Sequence, residues 1–341
     1  MSAHASTQHL TTLPAAAAEA ALPAEEASPR RCGLAASLVE LTKPGITRLV
    51  TITSAVGFAM AALSRVDVAW TSLALAGAGA IIGTALSAAG AHALNEWWER
   101  DLDARMPRTR RRPLPEGRIT PGLALAYGIL LAVAGCTLLW AVCGLAPALV
   151  SAATIFSYLL IYTPLKTITP LATLIGAVPG ALPPLIGWSA GILAGTGLSG
   201  TDALLTSLSG AGGWALFTLM FVWQIPHFLA IAWMYREDYA AGGYRVLPVV
   251  EPDGASTSAV VLLWTFTLMV AMAGPALVMP DLVGVIYLSV AALTGVPFCI
   301  AAVRLARRRT RDLAKRVFIA SVVHLPLVLG ALVLDGFVQV L

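Results

Sequence analysis

Three side chains carrying oxygen, Asn95, Glu99 and Asp103, recur at every fourth residue in the segment ALNEWWERDLDAR. At about 100° per residue, each lies about 40° around a helix from the one before, so the three make one stripe. Two carboxylates and an amide are hard oxygen donors of the kind Mg²⁺ accepts while keeping positions for water and phosphate oxygens. Glu96 and Asp101 fall off that stripe, which separates them from the expected site. Just downstream stand Arg108, Arg110, Arg111 and Arg112, between Pro107 and Pro113. The prolines should end the helix and turn the chain into a loop. Guanidinium forks grip phosphate oxygens in pairs, so an acidic stripe followed by arginines is the pairing expected for a diphosphate held through Mg²⁺. The competing reading is a solvated helix end with internal ion pairs.

A second polar segment, residues 223–248, runs through Tyr235, Arg236, Glu237, Asp238 and Tyr239 to Gly242 and Gly243. It repeats an acidic group at the end of an apolar stretch, which suggests two clusters facing one cavity. Lys166, in YTPLKTITP, adds a third polar contribution. Inside apolar stretches, His92, Gln224, His227 and His324 are costly and therefore candidates for function, although each could serve as a structural hydrogen bond. His227, for example, follows Pro226, which frees a backbone carbonyl. Trp97, Trp98 and Trp233, near stretch ends, read as interface anchors.

The elements that must position these residues are membrane helices. Of 341 residues, 58% are hydrophobic and 12% charged, with a mean hydropathy of +0.80. That excludes a water-soluble globule and a disordered chain. Nine apolar blocks follow one another, at roughly 46–64, 69–94, 121–142, 145–162, 169–193, 212–234, 256–279, 282–303 and 317–339. They are too long and unalternating for barrel strands, and in lipid only helices then satisfy the backbone. The third and fourth blocks are parted only around Cys143 and Gly144. The fold class expected is all-α, a polytopic bundle of about nine transmembrane helices.

With a cytoplasmic N-terminus, every Lys and Arg except Arg48, at the start of helix one, and Arg65 falls in the tail or at the helix ends and loops after helices two, four, six and eight. The positive-inside rule therefore puts the chemistry at the cytoplasmic face of a cell membrane. It also explains Arg307, Arg308, Arg309 and Arg311 without any nucleic acid. Residues 1–34 are rich in Ala, Ser, Thr, Pro and Glu and are expected to be disordered. Glu19, Glu25 and Glu26 interrupt the Ala run, so no cleaved signal is expected. The division is a disordered cytoplasmic tail at 1–41 and a transmembrane domain at 42–341. The four cysteines have no CxxC spacing and read as packing residues.

The first motif, Asn95, Glu99 and Asp103 followed by Met106, Arg108, Thr109, Arg112, Pro113 and Leu114, resembles the first acidic motif of the UbiA-type intramembrane prenyltransferases. The form is similar to that of the branch of the family acting on haem. Trp223, Gln224, Pro226, His227 and Phe228, then Asp238, Tyr239, Gly242 and Leu247-Pro248, match that branch's second motif, and Thr42-Lys43-Pro44 and Tyr162-Thr163-Pro164 also fit. The resemblance covers about 42–340 and implies a nine-helix bundle around a central cavity open to lipid. It implies a metal set of Asn95, Glu99, Asp103 and Asp238 binding Mg²⁺, with Lys43, Arg108, Arg112 and Lys166 on the diphosphate. Tyr162, His227 and Tyr235 are further substrate-binding candidates, His227 toward haem. One departure is that Tyr235, Glu237 and a single Asp238 stand where quinone-type members carry paired aspartates.

The activity implied is farnesyl transfer from farnesyl diphosphate to a vinyl group of haem B, with addition of water. Haem A synthase or a terminal oxidase would then accept the product. The alternatives are a prenyltransferase for a quinone precursor or other aromatic acceptor, a cation-coupled transporter, and a scaffold for respiratory assembly. Transporters place such groups near the midplane with inverted repeats, whereas here they gather at one face.

Overall fold

The computed structural model describes residues 33–65 and 68–340. The expected tail lies mostly outside the described residues, but its last part does not: Leu34–Leu41 forms a helix, α1. It buries Ser37 and Leu41, the latter in a small core with Ala93, Leu114, Ile119 and Ala124. The membrane-embedded part therefore has a helical buttress that composition alone did not suggest.

Among the described residues, nine helices are long and apolar enough to cross a membrane, and the chain is a multi-pass membrane protein. They are α2 (Pro44–Leu63), α3 (Trp70–Asp103), α4 (Pro121–Cys143), α5 (Leu145–Leu165), α6 (Ala172–Leu193), α8 (Ala211–Met234), α11 (Ala255–Val278), α12 (Val285–Arg308) and α13 (Arg311–Val340). Shorter helices α7 (Gly200–Leu208), α9 (Arg236–Ala241) and α10 (Leu247–Val250) connect them. At 1.5 Å per residue the 34 residues of α3 reach about 50 Å, well beyond a hydrocarbon layer of about 30 Å. Its last turns, which carry the acidic stripe, therefore stand clear of the lipid.

In α6 and α8, 72% and 61% of the apolar window is buried, against 28–44% in the other spans, so these two are the central helices. Outer helices show large apolar side chains outward, such as Leu130, Leu263 and Leu293. Small residues set the close pairs. A Cβ on Gly90 would sit 2.7 Å from the Gly128 carbonyl oxygen across the α3–α4 contact. One on Gly187 would run into the Ser54 carbonyl across the α2–α6 contact. The α4–α5 boundary is a single residue, Gly144, with φ of 95°, a conformation glycine adopts without steric cost.

Two polar contacts cap helices from afar. Arg65 donates through Nη1 to the carbonyls of Gly191, Ile192 and Ala194 at 3.1, 2.7 and 2.7 Å, closing the end of α6. This accounts for the one basic residue on the opposite face. Asp335, buried in α13, accepts from the backbone N–H of Gly284 and Tyr287 at 2.7 and 2.9 Å, capping α12.

Candidate functional site: a cation-lined cavity at one end of the bundle

The end of α3 builds the site's floor. Asn95, Glu99 and Asp103 are nearly fully buried, at 1, 4 and 1% exposure, and all three line one cavity of about 380 Å³. Beyond Asp103 the chain winds through successive turns, with Thr109 Oγ1 donating to the Asp103 carbonyl at 2.9 Å. This brings Arg112 back over the stripe, where Nη1 donates to Asp103 Oδ2 at 2.6 Å. Arg118 pins the same loop to α1 through Glu40 Oε2 at 2.7 Å and Ser37 Oγ at 3.0 Å.

Two more cations arrive from other helices. Lys43 precedes α2 in a left-handed conformation, φ 49° and ψ 63°, an uncommon backbone state for a residue with a long side chain. Its Nζ donates to Asn95 Oδ1 at 2.7 Å. Lys166, just past α5, donates to Glu99 Oε1 at 2.7 Å. The last part of α5 is a π-helical turn, Ser157–Tyr162, and Thr163 Oγ1 bonds back to the Tyr158 carbonyl five residues earlier at 2.8 Å. That turn directs Tyr158 and Tyr162 into the cavity, stacked with ring centres 5.7 Å apart, and Lys166 Nζ lies 4.6 Å from the Tyr162 ring centre.

Burial and the neighbouring Arg112 pull Lys43 down to about 8. For Lys166, burial opposes the charge, but Glu99 and the surrounding tyrosines outweigh it and hold it well above the usual lysine range. Arg112 is likewise held up, Asp103 and Glu96 overcoming its burial. Burial and then Glu99 push the Tyr244 phenol up, so it stays a neutral wall group. Glu96, expected to be separate, is 2% exposed and its Oε1 lies 3.6 Å from Arg112 Nε. The returning loop supplies a partner that helix periodicity does not show. Asp101, by contrast, is exposed.

Of the residues singled out from sequence, Lys43, Asn95, Glu99, Asp103, Arg108, Arg112, Tyr162 and Lys166 share this cavity. Tyr235 and Asp238 do not: they line a second cavity of about 530 Å³ with Arg236, Arg309 and Arg311. The expectation of two acidic clusters on one cavity is corrected accordingly. Among the described residues no three His, Cys, Asp or Glu side chains gather closely enough to hold an ion. His227 lines neither cavity; its Nδ1 pairs with Ser321 Oγ at 2.7 Å, and its ring stacks on Trp223 at 4.7 Å. Trp223 Nε1 donates to the Ser321 carbonyl at 2.9 Å, so this segment clasps α8 to α13. His92 pairs with Thr47 Oγ1 and His324 with Thr294 Oγ1, at 2.8 and 2.7 Å. Sequence reasoning missed Tyr158 and Tyr244 on the cavity wall and gave Tyr239, part of the second motif, no role in the site. Tyr158 is four residues before Tyr162, a spacing that puts both on one helical face and gave a usable signal.

The donor set suits a divalent cation bound together with phosphate. Glu99 Oε1 and Asp103 Oδ2 are taken by Lys166 and Arg112, while the second oxygen of each carboxylate has no hydrogen-bond partner among the described residues. Two such oxygens, with cavity space beside them, fit Mg²⁺, which usually takes one or two carboxylates and completes its shell with water and phosphate, and the Asn95 amide oxygen keeps one lone pair beyond its bond from Lys43.

The structure is a helical membrane bundle with a buried acidic stripe facing lysine and arginine at one end, and the chain belongs to the UbiA prenyltransferase family, whose sequence pattern matches residues 50–323. It is 41% identical over 306 residues to the protoheme IX farnesyltransferase of Solibacter usitatus (strain Ellin6076), covering 87% of this chain and 97% of that one. Among solved structures it is similar to a digeranylgeranylglyceryl phosphate synthase, with a TM-score of 0.69 at 16% identity, covering 89% of this chain and 98% of the other. A UbiA homologue from Archaeoglobus fulgidus bound to GPP and Mg²⁺ gives a TM-score of 0.58 at 14% identity, covering 89% and 99%. These structural likenesses carry the fold.

Proposed function

We propose that this chain transfers a farnesyl group from farnesyl diphosphate to a vinyl group of haem B and, with addition of water, yields haem O. The observation that carries this reading is the convergence of Asn95, Glu99 and Asp103 with Lys43, Arg112 and Lys166 in one cavity, in a chain 41% identical to a protoheme IX farnesyltransferase. Mg²⁺ held by Asn95, Glu99 and Asp103 would neutralise charge on the diphosphate and so favour its departure; the Archaeoglobus homologue bound to GPP and Mg²⁺ supports that metal. Asp238 is assigned outside this set.

The chain's own residues do the rest by position and charge. Lys43, Arg108, Arg112 and Lys166 hold phosphate oxygens, and the guanidinium groups do so in pairs. Tyr158, Tyr162, Phe228 and Ile231 supply an aromatic and apolar wall along which the prenyl chain lies. Aromatic faces stabilise the positive charge that develops on the allylic carbon, and an apolar wall keeps water from capturing it early. No side chain need attack covalently; the cavity orients two amphiphiles and compensates charge. The positive-inside distribution supports a plasma-membrane protein with a cytoplasmic N-terminus and a site toward the cytoplasm. Haem A synthase or a terminal oxidase would receive the product.

The test is incubation of membranes containing the chain with farnesyl diphosphate, haem B and Mg²⁺, followed by chromatography and mass detection of the haem fraction. A farnesylated, hydrated haem that disappears with Asp103→Asn is expected. Untouched haem alongside prenylation of a quinone precursor would overturn the acceptor and keep the prenyl transfer.

A further inference from the structure

The positive-inside rule explains why basic residues lie on this face, but not why three of them gather around one cavity. Many basic residues lie on this face, among them Arg304, Arg307, Arg308 and Lys315, yet the walls take Arg236, Arg309 and Arg311 from two separate parts of the chain. Glu237 and Asp238 share those walls, but among the described residues none of the three arginines forms an ion pair. Their guanidinium groups are left available to a ligand.

Tyr235 joins the two cavities. It lines the second, and its ring carries Arg311 at 5.9 Å and Arg108 at 4.9 Å from its centre. Arg108 lines the first cavity. The aromatic ring is thus in contact with one guanidinium that lines the first cavity and one that lines the second. Among the described residues other than glycine, only Lys43 and Arg309 have positive φ, 49° and 26°. One lines the first cavity and the other the second, so the backbone is held in an uncommon state at both.

We propose that the second cavity binds the two propionate carboxylates of the porphyrin acceptor, with Arg309 and Arg311 as the principal contacts. The assignment rests on haem being the acceptor. Its chemistry is specific: a carboxylate matches a guanidinium fork in shape and charge, and two carboxylates at one edge of a flat apolar ring require two such forks side by side. A lipid phosphate offers the same charge, so the test must separate the two sources.

The full chain, in nanodiscs of neutral phosphatidylcholine, is titrated with haem B and with its dimethyl ester, binding being followed by the Soret absorbance. The wild-type chain should bind the diacid at least about tenfold more tightly than the diester, the size expected for losing charge-assisted hydrogen bonds. The Arg309→Gln/Arg311→Gln variant should lose that preference while keeping its affinity for the diester and its KM for farnesyl diphosphate. The Arg309→Lys/Arg311→Lys variant should keep part of it, since charge remains and the paired geometry does not. A Gln variant that retains the diacid preference while haem is still farnesylated overturns this assignment alone. Nanodiscs containing phosphatidylglycerol form the second arm. If the Gln variant loses only its response to that lipid, the cavity is a headgroup site and the assignment fails. A wild-type chain that neither binds nor farnesylates haem overturns this assignment and the proposed function together.

Discussion

Replacing Lys166 by Met would isolate the ion pair on which the first cavity is built. Lys166 Nζ lies 2.7 Å from Glu99 Oε1, with side-chain exposures of 16 and 6%. Around it Glu96, Glu99 and Asp103 face Lys43, Arg108, Arg112 and Lys166, three carboxylates against four cations, and Met removes the cation paired with Glu99. Removing one partner of a buried pair costs about 3–5 kcal/mol, because the other charge is left uncompensated. The Glu99 carboxylate opens on a cavity of about 380 Å³, and water there solvates part of it. The cost should therefore fall below that range, at about 2–3 kcal/mol. With roughly 2–4 °C per kcal/mol in a large domain, the unfolding midpoint in detergent should drop by on the order of 5–10 °C. The assay is a thermal scan of purified protein at one fixed rate, since unfolding of such a chain is governed by kinetics. Glu99→Gln/Lys166→Met, which removes both charges, should recover most of the loss in stability and none of the activity. A single variant that melts with the wild type would refute the pairing; so would a double variant no more stable than the single one.

The remaining expectations concern the frame and the metal. Arg65→Met leaves three α6 carbonyls without their donor and should cost about 1–2 kcal/mol in the same scan, with Arg65→Lys losing less; an unchanged midpoint would remove the capping role. Asp335→Ala should cost about 1–2 kcal/mol by uncapping α12, whereas Asp335→Asn keeps an acceptor oxygen, so equal losses from the two would contradict it. Gly187→Val drives a branched side chain into the Ser54 carbonyl and should abolish a monodisperse peak on size exclusion; recovery of normal protein would mean that α2 and α6 do not approach so closely. Chelation with EDTA should stop product formation, and added Mg²⁺ should restore it; full turnover in EDTA would dismiss the metal set.

Residues whose role depends on local spacing were legible, and those whose role depends on a distant partner were not. The stripe of Asn95, Glu99 and Asp103 is a property of one helix, and so is the run of arginines beyond it. The span boundaries agree to within a few residues, except where α3 runs on to Asp103, α12 runs on to Arg308 and α13 begins at Arg311. There charged helical turns outside the lipid carry no hydropathy signal. Arg65 and Asp335 illustrate the opposite case: Arg65 caps a helix 126 residues or more away in sequence, and Asp335 one about 50 away. Neither spacing nor composition encodes such a contact. Glu96 was set aside because its angle on α3 is wrong for the stripe, and the angle is indeed different. What brings it into the network is Arg112, returned by a loop whose path depends on Thr109, Arg118 and α1.

The second motif shows where periodicity reaches its limit. Charge distribution puts Asp238 at the same end of the bundle as the stripe, and from this a single shared cavity is expected. But α8 stops at Met234, and the chain restarts at Arg236 as a helix of six residues, too short for any apolar pattern to fix its rotation. Its orientation comes from contacts instead. Arg108 lies over both Tyr235 and Tyr239, and Gly242 lets Met106 approach so closely that a Cβ there would stand 2.8 Å from its sulfur. So held, Tyr239 faces the stripe, while Asp238, one residue and about 100° away, faces Arg309 and Arg311. One motif thereby serves two cavities. That division suits a reaction joining two amphiphiles, one recognised by its diphosphate and the other by its carboxylates.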